Sequence, residues 1–406
     1  MDKETLARRN LEVARTLHQP SAPHAVRDLF LSGLATLPIP PRRARSNRVL
    51  VIRPDHLGDV LLMTPALQFI KRERPETELH VICGAWAADV LARYDEVDVV
   101  LTLDFPGFQR QGRSRRGNPY LRAIDSARML RRIGYDSALI MRPDHWWGAM
   151  LAFLAGIEER IGYDNANVAP FLTGRSPHQY EHAVLQNLHL AQFWLGAPHN
   201  RDIELNLTVD PADAAAVDQL LADRGIDVAT PIICIHPGAG MPSKLWQSDK
   251  WAEVADQVAR RHNVTIIFTG SSPEQAVIED IAGGMTAASC SVAGETSAGQ
   301  LAALYRRARA VLGPDSGAMH VAAAVHTPTV TLFGPADPIE FAPWGDRRKH
   351  AAITSTIACR PCRILDWRDD SLAYHPCVRD ISVCQVLEAL QRVSGAEAPT
   401  VSARIL

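Results

Sequence analysis

The chain has 406 residues, which at roughly 150 residues per domain fits two domains plus extensions. Hydrophobic residues make up 47% and charged residues 22%, the balance of a soluble globular protein. With 43 Lys+Arg against 45 Asp+Glu the formal net charge is −2, which excludes a globally basic nucleic-acid binder, and no apolar run is long enough to span a membrane.

Residues 1–46 read as an N-terminal extension. Thr5–Leu17 has helical spacing, Pro38, Pro40 and Pro41 stop regular structure, and Arg42, Arg43 and Arg45 follow. A surface arm without chemistry is expected. Met1 to Asn10 is charged and lacks the apolar core of a signal peptide. This predicts a cytoplasmic protein, peripheral at most at the inner face of the cytoplasmic membrane.

From Arg48 short β-branched runs alternate with helical patterns. Strands are expected at Val49–Ile52, Leu79–Ile82, Val99–Leu103 and Ala138–Met141, with a helix over Thr64–Arg72 capped by Thr64 and started by Pro65. A helix over Glu181–Trp194 closes this half. Asn206–Thr230 reads as a domain joint, broken by Asp210-Pro211 and Gly225. The alternation then resumes with strands at Ile232–Ile235, Thr265–Thr269, Ala310–Leu312 and Thr329–Phe333. Helices are expected at Ser248–Arg261, Pro273–Ile281, Ser297–Arg307 and Gly317–Val325. Two such series predict an α/β protein of two doubly wound, Rossmann-like domains facing across a cleft. The division is 47–207, 208–350 and a cysteine-containing segment with a closing helix, 351–406.

In doubly wound sheets ligands bind where strands turn into helices. The first such loop is Arg53-Pro54-Asp55-His56-Leu57-Gly58-Asp59. Gly58 permits close backbone approach, and the Asp59 carboxylate suits a general base or, equally, a helix cap. In the second loop, Gly238 and its small neighbours with Lys244 suit a phosphate, although the P-loop spacing is absent. In the third, Asp315 or Ser316 can cap the helix after Gly317, leaving amides and a positive dipole end for an anion. His320 taken alone reads as structural. Thr269-Gly270 and Phe333-Gly334 end their strands similarly, and four small-residue loops in one half point to a nucleotide site.

Together, Arg48–Pro65 (RVLVIRPDHLGDVLLMTP), His236–Trp246 (HPGAGMPSKLW), Val292–Leu301 (VAGETSAGQL), Gly313–Ala324 (GPDSGAMHVAAA) and Thr327–Pro335 (TPTVTLFGP) resemble glycosyltransferase family 9, the ADP-heptose:lipopolysaccharide heptosyltransferases. The resemblance implies a GT-B fold and an inverting transfer that needs no metal. It places the general base on Asp59, the phosphate-binding lysine on Lys244 and the nucleotide loop on Asp315, Ser316, Gly317 and His320. Thr269 to Glu274 would hold base and ribose.

The donor is then a nucleotide-diphosphate sugar, with ADP-heptose implied, and the acceptor a cell-envelope glycan or glycolipid such as lipopolysaccharide core. The acceptor should meet the first domain at Arg53, His56 and Gly58, and at Arg142 and His145, since Arg142-Pro143-Asp144-His145 echoes Arg53-Pro54-Asp55-His56. Arg110, Arg113, Arg115, Arg116, Arg122, Arg128, Arg131 and Arg132, with Asp125 the only acid among them, suit an anionic acceptor or membrane surface as well as a solvated face.

Cys359, Cys362, Cys377 and Cys384 have spacing that allows a zinc or iron site, with His375 as a substitute for Cys384. Related heptosyltransferases that modify autotransporter proteins carry cysteine-bound iron. Cys83, Cys234 and Cys290 read as buried small hydrophobes. Competing functions on the same architecture are a nucleotide-sugar epimerase or hydrolase and a non-catalytic nucleotide-sugar-binding protein.

Overall fold

The computed structural model describes residues 3–17, 22–41, 47–108, 118–196, 198, 203–364 and 376–395. The chain divides into two compact units, His18–Leu205 and Met1–Leu17 with Asn206–Leu406. The extension contributes α1 (Lys3–Leu17) to the latter and α2 (Ala22–Leu34) to the former.

In the N-terminal unit β1 (Arg48–Ile52), α3 (Leu57–Glu73), β2 (Glu78–Cys83), α4 (Ala88–Leu91), β3 (Val99–Thr102), α5 (Pro119–Ile133) and β4 (Ser137–Ile140) follow in turn. Then come α6 (Trp146–Leu154), β5 (Glu159–Tyr163), β6 (Gly174–Ser176) and α7 (Ala183–Leu195). The strands pair in parallel in the order β3-β2-β1-β4-β5-β6. Leu50, Ile52, Ile82 and Ile140 of the sheet pack with Trp147 and Met150 of α6.

The C-terminal unit runs α8 (Pro211–Ala222), β7 (Ile232–Ile235), α9 (Ser248–His262), β8 (Thr265–Phe268), α10 (Gln275–Gly283), β9 (Ser289–Ser291), α11 (Ala298–Arg307) and β10 (Val311–Pro314). It continues with α12 (Gly317–Ala324), β11 (Thr329–Phe333), α13 (Pro338–Phe341), β12 (His350–Thr354), α14 (Pro376–Arg379) and α15 (Val383–Val393). Its parallel order is β12-β11-β10-β7-β8-β9. Counted from each unit's own first strand, both sheets have the doubly wound order 3-2-1-4-5-6. In the core Trp246 meets Trp251 edge-to-face at 4.8 Å and donates its indole N–H to the Ile381 carbonyl at 3.1 Å, which fastens the start of α15.

Several expectations change. The helix expected to start at Thr64 begins at Leu57 and runs through Pro65. Pro65 has no N–H to give the Leu61 carbonyl, and the Thr64 hydroxyl donates to that oxygen instead at 2.9 Å. The joint expected at Asn206–Thr230 contains α8, because Asp210 takes the N-cap position and Pro211 opens the helix rather than breaking it. Strands β5, β6, β9 and β12, whose apolar runs are short or absent, were not expected. β6, β9 and β12 are edge strands and β5 lies beside one, where less core is seen and polar residues are tolerated.

The extension is no surface arm. Ala7 of α1 packs with Ile357, Cys359 and Cys377, and Leu31 of α2 lies in the N-terminal core. Among the described residues of 351–406, β12 (from His350) belongs to the C-terminal sheet and the closing helix α15 contributes Val386, Ala389 and Leu390 to its core. Leu31→Ala should destabilise the N-terminal unit by about 2–5 kcal/mol in urea unfolding followed by tryptophan fluorescence. An unchanged midpoint would show that α2 is not part of the core.

Candidate active site

In each doubly wound sheet the chain reverses its direction of growth between the first and fourth strands, and the loops leaving those two strands diverge to form a crevice. In the N-terminal unit these are the loops after β1 and β4, which carry the two Arg-Pro-Asp-His repeats. The echo in the sequence is therefore a spatial pair.

Asp55 is the hub. It is buried, with Arg53 Nε 2.7 Å from one carboxylate oxygen and an Arg142 N–H donated to the other. Burial pushes its carboxyl up, but Arg53 and Arg142 outweigh that and hold it below its ordinary value. Arg53 also donates to the Met141 carbonyl and, at 3.3 Å, to Asn187. Asn187 in turn donates to the Leu62 and Ala183 carbonyls at 3.2 and 2.8 Å, tying α7 to α3. The remaining Arg53 nitrogen faces Asp59 at 3.6 Å.

Asp59 is the third residue of α3, with 33% of its side chain exposed, and His56 takes the N-cap position. It is thus a first-turn acid, which the helix dipole favours, rather than an N-cap. Gly58 is the helix's second residue and needs no unusual φ. Trp86, just after β2, was missed in the sequence. Its indole N–H donates to the Asp55 carbonyl at 2.8 Å and its ring lies 5.4 Å from that of His56, a half-exposed aromatic platform beside Asp59's loop. A lone Trp two residues after a strand-ending Gly was the available signal.

Arg142 spans the crevice to Asp55, donates to Asp144 at 2.5 Å and lies 5.0 Å over the Phe108 ring. His145 is buried among Phe105, Phe108 and Trp147, and neither ring nitrogen has a hydrogen-bond partner among the described residues. Burial drives its pKa down to about 3, so it is neutral at physiological pH. It packs the floor of the loop rather than presenting a charge to an acceptor. Of the arginine-rich stretch, Arg122, Arg128, Arg131 and Arg132 lie on α5, while Arg110, Arg113, Arg115 and Arg116 lie outside the described residues.

The C-terminal unit repeats the design with the loops after β7 and β10. Lys244, ending a short 3-10 turn, pairs with Asp315 directly after β10. Asp315 is buried, so it presents the lysine rather than an anion-binding group of its own. Ser316 takes the N-cap position of α12 without a side-chain cap bond, and its buried hydroxyl has no partner among the described residues. The first-turn amides of Gly317 and Ala318 begin the same helix, and His320 is buried one turn on. A Cβ on Gly238 would come within 2.0 Å of Glu274, so the loops after β7 and β8 touch there.

The other expected donor-side residues are packed within the unit. Thr269 is fully buried, its hydroxyl 2.8 Å from the Tyr305 hydroxyl and 3.2 Å from His236 Nδ1. Gly334 is where Val378 packs, since a Cβ would come 2.4 Å from its Cγ2, and its carbonyl accepts from Arg360 at 2.6 Å. Gly270 lies against Ile278 and Glu274.

The four-cysteine metal set does not fit. Cys384 is exposed on α15 and donates to Glu388 at 3.2 Å, and His375 lies outside the described residues. Cys359, Cys362 and Cys377 line one small cavity, yet among the described residues no group of three or more His, Cys, Asp or Glu is arranged to hold an ion. Burial pushes the Cys377 thiol up to about 11.

Two doubly wound units, each with its polar loops at the switch point, make up a GT-B architecture. A family model described as glycosyltransferase family 9 (heptosyltransferase) matches residues 124–366. The chain is 26% identical over 364 residues to lipooligosaccharide heptosyltransferase 2 of Haemophilus influenzae, covering 85% of this chain and 99% of that one. It superposes on the family 9 glycosyl transferase of Veillonella parvula with a TM-score of 0.70 at 21% identity, covering 86% and 97% of the two chains. For E. coli ADP-heptose lps heptosyltransferase II the TM-score is 0.68 at 22% identity, covering 86% and 98%. The chain belongs to glycosyltransferase family 9, and it is a glycosyltransferase.

His145 gives a pH prediction. Its folded pKa lies below its ordinary value of 6.5, so the unfolded chain takes up the proton first as pH falls. The stability linked to neutral His145 is intact above about pH 6.5 and lost progressively toward about pH 3. Between pH 7 and pH 5 the wild type should lose about 2 kcal/mol more than His145→Gln in denaturant unfolding. Equal losses would mean that His145 is not held neutral.

Proposed function

We propose that the protein transfers a heptose from ADP-heptose, with inversion at the anomeric carbon, to a lipopolysaccharide-core type of acceptor. The observation that carries this reading is the position of Asp59, a half-buried carboxylate in the first turn of α3, steadied from one side by Arg53. It is complemented by Lys244 and the α12 amides at the second switch point. The acceptor and donor classes are supported by the relatives, which are named for heptosyl transfer to lipopolysaccharide or lipooligosaccharide and, in solved cases, for ADP-heptose or its 2-deoxy-2-fluoro analogue.

In this mechanism Asp59 accepts the proton of an acceptor hydroxyl as its oxygen attacks the anomeric carbon on the face opposite the leaving group. Negative charge builds on the departing nucleoside diphosphate. Lys244 and the amides at Ser316, Gly317 and Ala318 stabilise that charge, and the Ser316 hydroxyl gains a phosphate oxygen as partner. Asp315 positions Lys244. Glu274, beside Gly238 and Gly270, accepts hydrogen bonds from ribose hydroxyls. Arg142 and the Trp86 ring bind the acceptor, the first through its anionic groups and the second through a sugar face. The transfer step calls on no cofactor, because the lysine and the helix amides take the charge a divalent ion would otherwise take.

Asp59→Asn should lower turnover about 10²–10⁴-fold with little change in donor affinity. Lys244→Ala should weaken both ADP binding, read by calorimetry, and turnover. ADP-heptose should raise the thermal midpoint more than UDP-, GDP- or dTDP-sugars do. Wild-type turnover in Asp59→Asn would remove the base assignment. Conversion of the donor in the absence of acceptor would favour an epimerase or hydrolase instead, and the anomeric configuration of the product, read by NMR coupling constants, tests inversion.

A further inference from the structure

In the C-terminal unit a buried chain of hydroxyls ends on the first residue of the loop after β7. Ile235 closes β7, Phe268 closes β8, and both pack into the core on the α9 side. The next residues, His236 and Thr269, face the opposite side of the sheet, where Tyr305 of α11 lies. The Tyr305 hydroxyl is 2.8 Å from the Thr269 hydroxyl, and Thr269 Oγ1 is 3.2 Å from His236 Nδ1. Tyr305 and Thr269 are fully buried, and His236 is half-buried.

The direction of this chain follows from its protons. Thr269 is the hydrogen-bond partner of the Tyr305 hydroxyl among the described residues, and burial pushes the phenol pKa up, so its proton stays in place and needs an acceptor. Suppose the neutral His236 ring carried its proton on Nδ1. It would donate to Thr269, and one of the two hydroxyl protons would then lie buried without an acceptor, which is costly. With Nδ1 bare, Tyr305 donates to Thr269, Thr269 donates to Nδ1, and every proton is used. The ring proton therefore sits on Nε2.

His236 opens the loop that carries Gly238 and Lys244. Its backbone N–H donates to the Leu312 carbonyl at 2.8 Å, and a Cβ on Gly313 would come within 2.7 Å of its carbonyl oxygen. It thus stands where the loops after β7 and β10 part, the same two loops that the Lys244–Asp315 pair joins. We propose that His236 donates its Nε2–H to a phosphate of the nucleotide and that Thr269 is a positioning residue, which fixes this tautomer from behind. Lys244 supplies charge, and His236 adds a donor with a set direction, which needs no reorientation as charge builds on the phosphates. The inference deepens the proposed function and rests on it for the identity of the ligand.

The test has a spectroscopic arm and a binding arm, both on the full chain. At about pH 8, where a histidine of ordinary pKa is neutral, long-range proton–nitrogen correlation should show His236 in the Nε2–H form. Thr269→Val should mix in the Nδ1–H form, and Thr269→Ser, which keeps the hydroxyl, should restore the single tautomer. In calorimetry His236→Leu should weaken ADP binding about tenfold and Thr269→Val about two- to fivefold. His236→Gln, whose side-chain amide offers an N–H at similar reach, should stay within about threefold of the wild type. An Nδ1–H ring in the wild type, a Thr269→Val ring unchanged from it, or wild-type ADP affinity in His236→Leu would each overturn the proposal. The same variants are titrated with inorganic pyrophosphate, which carries the diphosphate without base or sugar. Weak ADP binding by the wild type, with the His236→Leu loss still seen for pyrophosphate, would support the role of His236 and overturn the donor assigned above. Equal pyrophosphate binding by wild type and His236→Leu would overturn the role of His236 and leave the assigned reaction standing.

Discussion

Each sheet has one place where neighbouring strands send their chains in opposite directions, and at each of those places a cation is bound to a carboxylate from the facing loop. Arg142 reaches Asp55 in the N-terminal unit, and Lys244 reaches Asp315 in the C-terminal unit. Buried pairs of this kind add little net stability compared with apolar packing, because desolvation offsets much of the attraction. What they do fix is position. Without Asp55, Arg53 and Arg142 would be like charges at the mouth of one crevice, and Arg53 would lose the contact that aims its remaining nitrogen at Asp59. Breaking such a pair on one side leaves a buried charge uncompensated, a far larger penalty than the pair's own worth.

The parallel architecture was legible because the inner strands are short runs dominated by apolar and β-branched residues: Val49–Ile52, Leu79–Ile82, Ile232–Ile235 and Thr329–Phe333 all lie where the pattern puts them. The outer strands were not, since Ser289–Ser291 has no apolar residue beyond Cys290 and Gly174–Ser176 has none. Asp210-Pro211 and Thr64-Pro65 show how one dipeptide pattern changes meaning. The first opens a helix, while the second sits inside one whose backbone the threonine hydroxyl repairs.

The loops of the site were legible for the same reason, as small and polar residues directly after apolar runs. Their internal partnerships were not. That Lys244 finds Asp315 some seventy positions away, or that Asp55 joins two arginines from different loops, depends on which strands are neighbours, and no local spacing encodes it. Nor does local spacing show that Thr269 and Gly334 meet Tyr305 and Val378.

The first helix belongs to the C-terminal unit although the whole N-terminal sheet follows it in sequence. Ala7 covers Cys359 and Cys377, both buried, whereas Cys384 stands in the open on α15. The molecule therefore carries its own chemical clock. An alkylating reagent should modify Cys384 first, and the labelling of Cys359 and Cys377, told apart from the buried Cys83 and Cys234 by peptide mapping, reports how often the N-terminal segment lets go.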